Sequence, residues 1–561
     1  MIAKPRPWPY IAIFVLTTLI WIVLVMARSH RYWEEAGQEM FHMGSYIRNG
    51  VLVVLAVIIF AYGLRAALIH RLSASAGHLA ESNSGDITER KMHGFNGSPA
   101  MLSQTGSKYV LEVRGASIVT GWETNHEIWR EIEAKKDNHQ TYMSQNPEDY
   151  PDNDGHRLDN HRIVSGTGFK FAARRAVEYW PVPVIIWGPP KDKRNDYRAA
   201  KQIAGLRQKA SLGVTLLLWG ADANTDDGVE MIEKLFAFFD AHPDVPEVLV
   251  FSSDGSMLRS LLRPPGSGGA PQAGHIIPER PDCSGGMLFA RSDRVDKLVR
   301  PFVIDQTAQI NKNSTGYDIT KLWNFFWATN DDRGPDSFNA HYLAQEKAAG
   351  VDDPSALGSM SLNWWHAQLP ELWKTIDNKG PGDFTPTPYL PVRWTTWQLK
   401  KFDSAPLLGY LHRPVDVKLT DDHGRPLKTS AQATALQAGW EQARAALPDG
   451  QEPKRVFYDT TGDRLSMIPL NRALAQIGGP APNLNDVEEG YDIGARIGNT
   501  GVTSPLIQIG LGLIASYQNG GASATVNRRP NGTTSIIMVS PPDAEIKAAW
   551  DQKTSGANPF K

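Results

Sequence analysis

Residues 214–219 (VTLLLW), 226–241 (DDGVEMIEKLFAFFDA) and 248–251 (VLVF) decide the fold. The first and last are short apolar runs bounded by Gly, Asp or Ser, which reads as buried strands. Between them, apolar residues recur at helical spacing over 226–241. Strand, helix and strand in that order require a crossover and a mostly parallel sheet. Upstream, 109–113 and 182–187 (VPVIIW) read as further strands. Downstream the alternation returns, with helices at 430–446, 466–477 and 503–518 and strands at 455–458 and 534–539. The expected class is α/β. No internal repeat is apparent in the sequence, residues 145–164 read as a polar loop, and the tail TSGANPFK reads as loose.

Two apolar runs precede this body. Residues 10–27 (YIAIFVLTTLIWIVLVMA) carry no charge and are long enough to cover most of a hydrocarbon core of roughly 30 Å. Residues 51–64 (VLVVLAVIIFAYGL) continue past Arg65 as AALI. Arg65 can snorkel from a membrane boundary, whereas an amphipathic or core helix is the competing reading of this second run. The first run ends Met26-Ala27-Arg28 without an A-x-A-like site, which favours a retained anchor over a cleaved signal peptide. Lys4, Arg6, Arg65 and Arg71 lie outside the connector, against Arg28, Arg31 and Arg48 within it. That bias places both ends on the cytoplasmic side. The expected organisation is a transmembrane hairpin (1–72), a Gly/Ser-rich linker (73–107), and two α/β domains (108–345 and 346–561). The expected location is the inner membrane, with the body cytoplasmic.

The formal net charge of −2 and the absence of a basic stripe exclude an electrostatic nucleic-acid binder. A single cysteine, Cys283, permits no internal disulfide. The common catalytic signatures are missing: no G-x-S-x-G, no G-x-x-x-x-G-K-[ST], no H-E-x-x-H and no paired C-x-x-C. Asp152, Asp154, His156, Asp159 and His161 suggest a calcium loop, but Tyr150 and His161 stand where its first and twelfth ligands should be acidic. Neither a metal nor a cofactor is expected. Cys283 could be a nucleophile, but nothing in its local sequence would activate it.

Residues 394–415 (WTTWQLKKFDSAPLLGYLHRPV), with VPVIIWG and the Trp-rich middle, resemble adaptor proteins of the type VI secretion system that load a phospholipase effector onto the secretion spike. The resemblance implies a non-enzymatic adaptor with two partners, a lipase effector and a VgrG-type spike protein, and supplies no catalytic residues. For a partner-binding surface the aromatic region offers Trp364, Trp365, Trp394, Trp397, His412 and Arg413, with core packing as the alternative for each.

Residues 113–129 (VRGASIVTGWETNHEIW), 456–474 (VFYDTTGDRLSMIPLNRAL) and 497–520 (IGNTGVTSPLIQIGLGLIASYQNG) also resemble ketoacyl synthases. That likeness implies a thiolase-like body and opens an alternative function, a degenerate or active acyl-transfer enzyme at the inner membrane. Such enzymes need a Cys at a helix start and two basic partners. Here Asn499 stands at the late His position, Gly494 where a Lys is expected, and 456–474 contain no His.

Overall fold

The computed structural model describes residues 110–561, except 136–139, 191–198, 222–224, 263–272, 307–315, 332–358 and 449, together with scattered residues between 14 and 55. The chain divides into two compact units, Met1–Gly97 and Ser98–Lys561. The first apolar run is described at 14, 17–19 and 21–26, and the second at 51, 54 and 55, with 50 just before it; these residues are helical, and the rest of both runs lies outside the described residues. Among the described residues no helix is long and apolar enough to cross a membrane.

The second unit holds thirteen strands among its described residues: β1 (Val110–Thr120), β2 (Glu123–Thr124), β3 (Pro181–Trp187), β4 (Leu216–Ala221), β5 (Glu247–Asp254), β6 (Cys283–Ala290), β7 (Ser359–Ser361), β8 (Gly409–His412), β9 (Val415–Lys418), β10 (Pro453–Tyr458), β11 (Gly490–Asp492), β12 (Ala522–Arg528) and β13 (Thr533–Ser540). They pair in the order β11-β10-β12-β13-β8-β1-β6-β5-β3-β4-β7, with β2 on β1 and β9 on β13.

That order contains a repeat. The five main strands of the first half are β1, β3, β4, β5 and β6. Numbered one to five along the chain, they lie in space as 3-2-4-5-1, and the fifth runs antiparallel to both neighbours. The second half, β8, β10, β11, β12 and β13, gives the same order, and its fifth strand is again antiparallel to both neighbours. The two first strands join at a seam, Val110–Val113 against His412–Gly409. The expectation of no internal repeat is therefore corrected: the repeat is one of topology. Two halves can share a path while their side chains diverge, because strand order is set by crossovers and burial pattern.

Alternation along each strand sorts the side chains into layers. Val182, Val184 and Ile186 face one core with Phe169, Ala172 and Ile203. Ile185 and Trp187 face the other way, into a large core shared with Phe457, Ile537 and Val539 of the second half. Val456, Ala524 and Met538 face a third core under Trp440 and Leu470. The two half-sheets thus look at each other across one central core, with outer helices behind each. The helix Ser504–Asn519 runs through that centre and is buried from Ser504 to Tyr517. Its counterpart between the third and fourth strands of the first half is Val229–Ala241.

Two local readings are corrected. Residues 154–173 form a helix, capped by the Asn153 side chain accepting from the His156 amide, so the expected loop ends at 153. The tail is docked: Asn125 Nδ2 donates to the Phe560 carbonyl at 2.6 Å, and the Phe560 ring meets Tyr517 edge-on. By pairing and packing, residues 359–404 go with the first half, since β7 extends it beside β4 and Ile304 bridges to Thr395.

Candidate functional site

The two central helices meet at their N-termini. Gly228 caps Val229–Ala241, and an added Cβ there would lie against the Val502 carbonyl and the Pro505 ring. The position at the first-half helix start therefore admits no side chain. On the facing loop, Asp254 at the end of β5 accepts from the Val502 amide at 2.9 Å and from Arg259 Nε and Nη2 at 2.7 Å each. Arg259 also pairs with Asp226 at 2.8 Å. A buried carboxylate held by a two-pronged guanidinium and a backbone amide is satisfied and pinned. It ties the two halves together at the facing helix starts.

Cys283 begins β6 beneath this loop and is fully buried. Its thiol lies 3.5 Å from the Thr500 carbonyl and 3.6 Å from the Asp254 carbonyl. Burial, and then the Asp254 and Asp282 carboxylates, push the thiol well above its ordinary range. It is a protonated donor rather than a thiolate. Asn499 accepts from the Gly501 amide at 3.1 Å, so its carbonyl closes its own turn. A Cβ at Gly494 would strike Asp459 Oδ1 and Thr461 Oγ1. No lysine fits there.

Above Asn499 and Gly494 opens a cleft of about 740 Å³. Its floor comes from the C-terminal ends of β10 and β11, the place where open α/β sheets accept ligands. There Asp492 takes the Thr460 hydroxyl at 2.5 Å and caps the Ala495 amide at 3.2 Å. Burial raises the Asp492 carboxyl from its ordinary value. The first half supplies the opposite wall through Thr141, Met143, Tyr150, Ile277, Pro278 and Pro281. Those wall loops are fastened: the Tyr142 amide donates to the Arg496 carbonyl at 3.0 Å, and His275 Nδ1 lies 2.6 Å from the Tyr150 carbonyl. The sequence alone does not show this wall. The one visible hint was the Gly/Thr loop at 459–462 following a strand.

The acidic and histidine residues at 152–161 take structural roles. His156 pairs with Asp152 at 3.0 Å, Arg157 with Asp154 at 2.9 Å, and buried His161 with Asp282 at 3.2 Å. Among the described residues no three such groups converge as metal ligands.

The six candidate partner residues are not assembled on one surface. Trp364, Trp365 and Trp394 are buried in the central core. Trp394 packs edge-on against Trp180 at 5.6 Å. His412 is buried with Nε2 at 2.9 Å from Ser540 Oγ, and burial pushes it down to about 4. Trp397 is half-buried and meets Tyr179 edge-on at 5.6 Å. Only Arg413 is exposed, paired with Asp240 at 3.0 Å and lying over the Phe236 ring. An aromatic-rich sequence signals burial as readily as a binding face, because Trp contributes large area to either.

Residues 109–273 match the family described as type VI lipase adapter protein Tla3, N-terminal, and residues 408–541 match its C-terminal counterpart. Together the two matches span more than half of the chain. The chain belongs to the type VI lipase adapter family. Solved structures with a similar path include the ketosynthase from module 6 of the bacillaene synthase of Bacillus subtilis 168, at 10% identity and a TM-score of 0.39, covering 78% of this chain and 71% of that one. The type III pentaketide synthase of Neurospora crassa gives 9% and 0.36, covering 77% and 99%. The ishigamide ketosynthase/chain length factor gives 12% and 0.35, also covering 77% and 99%. These overlaps are loose and bear on no chemistry.

Proposed function

We propose that this lipase adapter is a non-enzymatic adaptor that binds a phospholipase effector and helps load it onto a VgrG-type spike protein. The observation that carries the reading is the family match on both halves, 109–273 and 408–541. Three features favour a body without a reaction. Gly228 leaves no room for a nucleophile at the helix start, Gly494 leaves none for a lysine, and Cys283 is sealed and protonated. The N-terminal hairpin would hold the body at the cytoplasmic face of the inner membrane. In support, both described stretches there are helical, and a side chain at Gly50 would collide with the Trp21 indole.

The test is co-expression of the full chain with a type VI phospholipase effector and a VgrG-type spike from the same cell. A complex of the chain with the lipase, recovered from detergent and bridged to the spike, is the expected result. If neither protein co-purifies, the adaptor reading fails. The competing acyl-transfer reading requires an acyl-enzyme on Cys283; incubation with acyl-CoA followed by mass spectrometry is expected to show none.

A further inference from the structure

The turn that joins the helix Asp154–Ala173 to β3 carries two arginines that the rest of the body leaves unanswered. Arg174 and Arg175 are both partly buried. Neither guanidinium makes a hydrogen bond or an ion pair among the described residues, and Arg174 Nε is sealed from solvent without a partner. Arg174 rests over the Phe171 ring, 4.6 Å from its centroid. Burial holds both guanidiniums below their ordinary value, and at Arg174 the Arg175 charge adds to the effect. Elsewhere partly buried arginines are answered. Arg157 meets Asp154, Arg207 the Thr215 and Gly213 carbonyls, Arg259 Asp254, Arg294 the His242 and Phe239 carbonyls, and Arg529 three carboxylates. The carboxylate nearest in sequence, Glu178, turns instead to Lys401 at 3.0 Å. A partly buried charge without a counter-ion costs free energy.

The turn itself is pinned. The Val177 amide donates to buried Glu247 at 3.1 Å, the Tyr179 amide to the Val214 carbonyl at 2.7 Å, and Gln398 Nε2 to the Glu178 carbonyl at 3.0 Å. Tyr179 is held at φ 56°, a left-handed backbone that a bulky residue adopts only at a cost. Its ring meets Trp323 at 4.8 Å and Trp397 at 5.6 Å, both edge-on. Lys170, exposed one turn back on the same helix, adds a third positive charge. The negative end of the helix dipole accounts for cations at this terminus, but not for guanidiniums buried there without partners. A fixed, strained turn that displays unpaired charge is organised for a ligand rather than for stability.

We propose that Arg174 and Arg175, with Lys170 beside them, receive an acidic segment of the lipase partner. The proposal rests on the adaptor reading and gives that reading a place on the first half. A guanidinium meets a carboxylate through two parallel N–H donors, so each arginine can take one Asp or Glu side chain. Pairing on a shaped, partly dehydrated surface sets register as well as charge. The recessed position suits a side chain that reaches in from a protein surface; a flat plane of lipid headgroups would meet projecting side chains first.

The experiment titrates the purified full-length chain, in detergent, with the phospholipase effector retained in the co-expression test. Arg174→Gln/Arg175→Gln is the main variant. Arg425→Gln/Arg472→Gln, which removes the same charge from two exposed positions elsewhere, is the control. The main variant is expected to weaken binding by about 30-fold or more, the size of a hot-spot loss. The control is expected to stay within roughly 3-fold, and wild-type affinity to fall more steeply with salt than that of the main variant. Because the free chain offers these guanidiniums no partner, the denaturant midpoint of the main variant is expected to equal or exceed that of the wild type. Hydrogen exchange of the complex is expected to protect 174–179. Wild-type binding that the main variant leaves unchanged, or that the control weakens equally, would overturn the assignment and leave the adaptor reading standing. A midpoint that falls along with affinity would make the arginines structural, with the same consequence. Protection of 174–179 by nanodiscs of phosphatidylglycerol without the lipase would assign the turn to the membrane, and so also overturn it. No binding by the unmodified chain would sink both readings.

Discussion

In the first half, the helix after the third strand, Val229–Ala241, buries Val229, Met231, Ile232, Leu235, Phe236 and Phe239 and turns Glu230, Glu233, Lys234 and Asp240 away from that core. In the second half, the helix in the same topological position, Ser504–Asn519, has no such polar face and is buried over fourteen successive residues. The two halves share a strand order but divide the labour. One central helix belongs to the shared core, where Gly510 comes so close to Ile118 that a Cβ would clash. The other has a face free to carry ties to the opposite half. Arg529, after β12, reaches Asp227 at 2.8 Å and Glu233 on that helix, and Asp416 at 2.9 Å on β9. Arg413 reaches Asp240 at its far end. A repeated topology therefore need not be a repeated interface.

The contrast can be broken most forcefully in the cores. Trp440→Ala, in the core belonging to the second half alone, and Trp365→Ala, in the shared core, should each cost about 3–5 kcal/mol. Because one sheet runs through both halves, calorimetry of either variant should show a single lowered transition for the body. A split transition confined to Trp440→Ala would mean that the halves fold independently. Gly228→Val comes next, at about 3 kcal/mol, because its side chain must displace the Val502 carbonyl. If Gly228→Val melts like the wild type, the helix starts are not in contact.

The pH response sharpens the picture at the seam. Burial holds His412 at about 4, below the ordinary 6.5, so the unfolded chain binds its proton first. Its contribution is complete above about 6.5 and is lost progressively as pH falls toward 4, by no more than ~3 kcal/mol. Burial also raises Glu247 to about 7, and the sign reverses: stability from that group is lost as pH rises from about 4.5 through 7. His412→Gln should flatten the acid limb of a denaturant midpoint-versus-pH curve and Glu247→Gln the neutral one. Unchanged limbs would remove both groups from the account.

Smaller still are the ties between halves. Arg529→Met leaves three carboxylates without their shared guanidinium and should cost roughly 2 kcal/mol, less at high salt. Arg413→Ala removes an exposed pair and should cost under about 1 kcal/mol. If the two variants prove equally costly by denaturation, the distinction between a buried and an exposed tie fails.

Much of this was legible from residue pattern. Apolar runs at 182–187, 214–219 and 534–539 became strands, and the periodic segments 226–241 and 503–518 became helices within a few residues. The helix Asp154–Ala173 was not, because its first two turns read DGHRLDNH, a polar stretch tied down by contacts made across the chain: Asp282 with Asn160 and His161, and the Arg157 guanidinium on the Gly274 carbonyl. The 3-2-4-5-1 repeat was hidden because strand order is set by pairings between residues far apart in the chain, which leave no local pattern. The departures from the ketoacyl-synthase pattern at Asn499 and Gly494 were visible as letters. Their physical reason was not: a turn that Asn499 closes, and a backbone packed too tightly at Gly494 for any side chain. The cleft wall at Thr141, Met143 and Ile277–Pro281 depends on loops more than a hundred residues apart and left no local signal.

The seam has a mechanical meaning. β1 is the strand nearest the N-terminal segment, and it lies in the middle of the sheet between β6 and β8, antiparallel to both. A pull on the chain at Val110 runs along β1 and loads both ladders in shear, with hydrogen bonds across the force rather than in line with it. Peeling would break them one at a time; shear makes them give way together. Tension entering the body at Val110 would be borne at the junction of the halves, so that neither half is unzipped before the other.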